Sequence, residues 1–95
     1  MNEQIDKNKV IEYVYKLVTK ENSGYSNLID IKESNNSILI NKLKECLMEI
    51  VDEDVIPYID PDYEFEDQVY DMVNYQSNPN LIESLDSLNS TLHCY

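Results

Sequence analysis

Over residues 5–20, Val10, Val14, Leu17 and Val18 recur at helical spacing, while Lys9, Glu12, Lys16 and Lys20 occupy the opposite positions. This is the 3.6-residue period of an amphipathic helix that buries one face. Glu12 stands four residues before Lys16, the order in which an exposed helical ion pair adds about 0.2–0.5 kcal/mol. Asn22, Ser23 and Gly24 supply the stop, Gly24 being free to adopt the left-handed backbone that closes a helix.

The pattern returns at Ser37, read as an N-cap. Ile40, Leu43, Leu47, Ile50 and Val51 share one face, and Lys42, Glu45, Glu49 and Asp52 the other. This predicts a central core helix running into Asp52, Glu53 and Asp54, carboxylates at the end where the helix dipole favours cations. Residues 55–59 read as an extended connection, because Pro57 disfavours helical geometry at Ile56. Asp60 and Pro61 then carry the grammar of a helix start, a capping side chain followed by a proline at the first helical position. Asp62 and Glu64 favour the positive end of the dipole. The predicted helix covers residues 61–76, with Phe65, Val69, Met72 and Val73 toward the core. Asn78 and Pro79 repeat the start signal for a last helix, marked by Leu81, Leu85, Leu88 and Leu92 and ending near Thr91.

Residues 25–33 are ambiguous, since Leu28, Ile29 and Ile31 fit either a short helix or one strand. Ser34, Asn35 and Asn36 form a turn, after which Ile38, Leu39 and Ile40 could pair with such a strand as a hairpin. An isolated two-stranded ribbon is marginal in water, so a short helix or irregular segment is preferred. The expected fold is all-α, a compact four-helix bundle forming one domain over residues 1–95. The alternative is an α+β fold with a small hairpin at residues 27–41.

Charge changes this picture from a generic bundle to a polarised one. The formal net charge is −12, yet all seven lysines lie before position 45 and there is no arginine. Residues 45–95 carry thirteen carboxylates and no Lys or Arg. Folding packs these charges together at a cost in self-repulsion, so a compensating role in docking on a strongly basic surface is expected. Hydrophobic content of 42% with regular helical recurrence argues for a folded chain over a disordered polyelectrolyte. No run approaches the roughly 18 apolar residues that cross a bilayer, and residues 1–9 are polar where a signal sequence would be apolar. A cytoplasmic location is expected, with no membrane partner. Four leucines over about three turns fall short of sustained coiled-coil heptads, so the chain is expected to be a monomer or weak dimer.

The charges also fall in a pattern. On the helix predicted over residues 61–76, Glu64, Asp67 and Asp71, with the cap Asp60, point away from the core at axial steps of about 4.5–6 Å. That is comparable with the roughly 6–7 Å between neighbouring nucleic-acid phosphates. Tyr63 and Tyr70 flank the row, and Tyr58 precedes it. Tyrosine gives a large, stiff contact with a polar tip, suited to a surface rich in Lys and Arg. The partner-binding set is therefore Asp52, Glu53, Asp54, Tyr58, Asp60, Tyr63, Glu64, Asp67, Tyr70 and Asp71.

Catalysis finds little support: the one histidine, His93, stands with Cys94 and Tyr95 in a frayed tail, no Gly-rich loop is present, and no nucleophile has an evident base. The chain is not expected to be an enzyme. Asp60, Asp62, Glu64 and Asp71 match positions 1, 3, 5 and 12 of a calcium loop, but Phe65 stands where that loop needs glycine. No metal or cofactor is expected, and Cys46 and Cys94 read as one packed thiol and one tail thiol. Phosphates are attracted by Lys and Arg, so direct nucleic-acid binding is disfavoured. In charge, size and helical character the chain resembles two groups: small acidic immunity proteins that neutralise a nuclease toxin, and phage inhibitors that mimic DNA against CRISPR or restriction enzymes. The resemblance is one of composition and carries no site residue over. It implies a stoichiometric inhibitor whose partner is a nuclease or another nucleic-acid-binding enzyme. A non-catalytic helical regulatory module or homodimer, its acidity serving solubility, is the competing expectation.

Overall fold

A computed structural model describes residues 5–92; the tail expectations at His93, Cys94 and Tyr95 lie outside them. Five α-helices follow one another among the described residues: α1 (Lys7–Val18), α2 (Ser26–Glu33), α3 (Ser37–Ile50), α4 (Phe65–Asn74) and α5 (Pro79–Thr91). There is no strand among the described residues, which excludes the hairpin at residues 27–41. The expected four helices become five because the ambiguous segment folds as α2.

Local signals explain α1, α3 and α5. The Asp6 side chain caps α1 by accepting from the amides of Asn8 and Lys9, and Val10, Val14 and Val18 are fully buried. Asn36, not Ser37, caps α3, accepting from Ile38 and Leu39. Leu43 and Leu47 bury completely on one face of that helix, as does Val51 just past its end, with Ile40 and Ile50 half-buried beside them. Asn78 caps α5 and Pro79 opens it, while Leu81, Leu85, Leu88 and Leu92 all enter the core. Helix α3 packs against α1, α2 and α5, and α4 closes over α1 and α5.

The start of α2 is supplied from across the molecule. No side chain within the helix caps it. Instead Asn89 of α5 points its Oδ1 at the free amides of Asn27 (3.0 Å) and Leu28 (3.3 Å), and its carbonyl accepts from Asn27 Nδ2 at 2.6 Å. This meets the need of a helix N-terminus for acceptors and seats Leu28 and Ile31 in the core. Gly24, at φ +89, turns the chain into α2 and does not close α1, which ends five residues earlier at Thr19. Asn89→Ala is expected to cost about 1–2 kcal/mol in urea denaturation and to speed amide exchange at Asn27 and Leu28. A loss too small to measure would show that the capping does not matter.

After Ile50 the backbone widens into a π-helical turn, Val51–Val55, followed by a 3₁₀ turn, Ile56–Tyr58. The Ile56 amide bonds the Val51 carbonyl, five residues back. Widening lets Val51 and Val55 both bury completely while Asp52 and Glu53 stay outside. The extended connection expected at residues 55–59 is thereby corrected: Ile56 is helical (φ −55, ψ −44) despite Pro57. Burial of Val55 overrides the local preference that the proline imposes.

Candidate protein-binding surface

The acidic residues divide into two groups with different environments. In the π turn, Asp52 is ion-paired with Lys7 of α1. The Asp54 carboxylate accepts from Ser84 of α5 (2.6 Å), and its carbonyl accepts from the buried Asn78 side chain (2.6 Å). These two acids fasten the turn to α1 and α5, which accounts for their presence beyond the α3 C-terminus. Of the three expected there, Glu53 is exposed and has no ion-pair partner among the described residues.

The second group lies on α4 and the turn before it. The helix begins at Phe65, with Glu64 as N-cap, and not at Pro61. Asp60 does not cap it; its carboxylate accepts from the Asp62 amide at 3.0 Å, closing a tight turn one step earlier. The four-residue row expected on one helix is thus Asp67 and Asp71 on the helix, Glu64 at its cap and Asp60 in the turn. What fixes the turn is Gln68, whose Oε1 accepts from the Asp60 amide (2.7 Å). Its Nε2 donates to the carbonyls of Asp60, Tyr63 and Glu64 at 3.0–3.4 Å. One amide side chain therefore sets the backbone beneath three of the expected partner-binding residues. Gln68→Ala is expected to loosen this turn, speeding amide exchange at Asp60, while altering unfolding by no more than about 1–2 kcal/mol. Hydrogen exchange followed by NMR beside a thermal melt checks both.

Asp60, Asp62, Tyr63, Glu64, Glu66, Asp67, Tyr70 and Asp71 are all exposed. Among the described residues the ion pairs are Lys7 with Asp52 and Lys44 with Glu12, so none of these carboxylates is compensated. The expected helical pair of Glu12 with Lys16 is not formed; Glu12 turns to Lys44 on α3. Asp67 and Asp71 are four residues apart and repel. Asp71 also lies toward the C-terminal end of α4, where a negative charge opposes the dipole. Glu64, Glu66 and Asp67 at the start of the helix favour its dipole, so the unfavourable placement is confined to Asp71.

The tyrosines are placed unevenly. Tyr63 is 71% exposed beside Glu64, and Tyr70 is exposed one residue before Asp71. Tyr75, absent from the sequence-based set, is 73% exposed and packs edge-on against Tyr70 with ring centroids 6.0 Å apart. Its position at the end of α4, five residues from Tyr70, was the available signal. Tyr58 is exposed and borders a depression of its own with Met72 and Pro79. Among the described residues no three His, Cys, Asp or Glu side chains are grouped to hold a metal ion. None of the described helices is long and apolar enough to cross a membrane. The Cys46 thiol is half-buried and pushed above its ordinary value by burial, with Glu49 adding to the effect.

Comparison with known protein families, curated proteins and solved structures finds no match to this chain.

Proposed function

We propose that this protein is a stoichiometric inhibitor that docks the outer face of α4 and the turn before it onto a basic, nucleic-acid-binding surface of a partner protein. The observation that carries the reading is the run of uncompensated carboxylates, Asp60 to Asp71, beside exposed Tyr63, Tyr70 and Tyr75, with the turn at Asp60–Glu64 fixed by Gln68. Carboxylates without lysine partners retain their full attraction for Arg and Lys, and they steer a basic partner into contact at a rate that falls with salt. Tyrosines beside them provide the desolvated anchors that such an interface needs. The mechanism is occlusion: the acidic face occupies the cleft that phosphates would enter. Neutralisation of a nuclease toxin and phage defence against CRISPR or restriction enzymes both use this chemistry.

The competing reading, a helical module that pairs through its leucines, is weakened by burial. Leu81, Leu85, Leu88 and Leu92 are all consumed in the protein's own core. A panel of basic nucleases, assayed with and without this protein at low and high salt, tests the proposal. Inhibition should saturate at one equivalent and relax as salt rises. Absence of inhibition across the panel, together with self-association of the protein alone, would favour the helical module.

A further inference from the structure

Alongside the acidic face, α1 and α4 leave an open groove of about 410 Å³, floored by Tyr13 and Phe65. The two rings meet edge to face, with centroids 6.1 Å apart and planes at 89°. Both side chains are only half-buried, so aromatic surface faces the groove. Glu66 stands on the α4 wall without an ion-pair partner among the described residues, whereas Glu12 on the α1 wall is already paired with Lys44. Past Phe65 the groove runs into a second depression against the turn before α4, where Asp6, Asp62 and Glu64 contribute. Lys9 and Lys16 equal the carboxylates of the first depression in number, so the acidic excess along the joined groove comes from Asp6, Asp62 and Glu64 of the second, which Lys9 alone of the lysines borders.

We propose that this groove seats an arginine side chain of the basic partner, its guanidinium stacked on the Tyr13–Phe65 floor and its N–H groups directed to Glu66. The proposal rests on the reading of the acidic face above and gives that face a second, aromatic contact. Charge complementarity selects a cation, and the aromatic floor selects which one. A guanidinium is planar and weakly hydrated, stacks on rings and forks onto a carboxylate; an ammonium is a strongly hydrated point charge. The Tyr13 hydroxyl is pushed above its ordinary value by burial and then by Glu66 and Asp67, in keeping with a negative field over this floor.

An oligo-arginine and an oligo-lysine peptide of equal length, titrated into the labelled protein at low salt and followed by NMR, test the groove. The arginine peptide should bind about 5–10-fold more tightly and shift the resonances of Tyr13, Phe65 and Glu66. Phe65→Leu and, separately, Glu66→Gln should each reduce that preference, the second without touching the core. Neutralising Glu64, Asp67 and Asp71 together should weaken both peptides and leave their ratio. Equal affinities, or shifts confined to the outer face of α4, overturn the groove proposal and leave the acidic-face reading standing. Tyr13 and Phe65 shifts that follow protein concentration without peptide assign the groove to a second copy and overturn it as well. Failure of both peptides to bind would sink the acidic-face reading itself.

Discussion

Leu47→Ala is expected to lower the unfolding free energy by about 2–5 kcal/mol. Leu47 is fully buried in the last turn of α3, with Leu43 one turn before and Val51 just past the helix end, both also fully buried. Helix α3 contacts α1, α2 and α5, so a cavity at this point is lined by several elements and cannot close by moving one of them. A domain of this size has a total stability of order 5–15 kcal/mol, already reduced by repulsion within a net charge of −12. The loss corresponds to a fall of about 4–8 °C in Tm for each kcal/mol. Met48→Ala, the next residue but 43% exposed, should change stability by no more than about 0.5 kcal/mol. Equal effects at the two positions, read from urea melts, would contradict the placement of the core.

The combined substitution Glu64→Gln, Asp67→Asn and Asp71→Asn is expected to raise Kd for the proposed basic partner by about 10–100-fold at low salt. It should also flatten the salt dependence, because three of the charges that attract the partner are gone. Folding should hardly change. Glu64 and Asp67 favour the positive end of the α4 dipole, whereas Asp71 opposes the negative end and repels Asp67, so losses and gains largely offset. Loss of binding with an unaltered melt therefore separates recognition from stability. The same substitutions in Asp52 and Asp54 would confuse the two, since those carboxylates bind Lys7 and Ser84.

Two similar start signals, Asn78–Pro79 and Asp60–Pro61, have different outcomes in the fold. Asn78–Pro79 opens α5 as expected, because Leu81 and Leu85 bury at once and hold the first turn against the core. Asp60–Pro61 reads the same way, yet α4 starts only at Phe65. Asp62, Tyr63 and Glu64 have nothing apolar to bury, so the local turn at Asp60 wins and Gln68 locks it. Apolar periodicity likewise located α1 and α3 within a few residues. What stayed hidden was long-range: the cap from Asn89 to α2 spans some sixty residues, and the bonds from Lys7 to Asp52 and from Ser84 to Asp54 join separate elements. These contacts explain why α2 is a helix and why two acids of the π turn serve the fold. The acidity of residues 60–71 was legible from composition. Its division between a turn and a helix, the addition of Tyr75 and the groove beside it required the packing of α4 on α1.

Capture from a native cell or phage lysate, run in parallel with the unaltered protein and the Glu64→Gln, Asp67→Asn, Asp71→Asn variant, puts the proposed inhibitor role to trial. The unaltered protein should retain a basic nucleic-acid-binding protein in equimolar amount, released by salt and largely lost with the variant. Capture of an acidic or apolar partner, or of the same partner by both proteins at high salt, would contradict it.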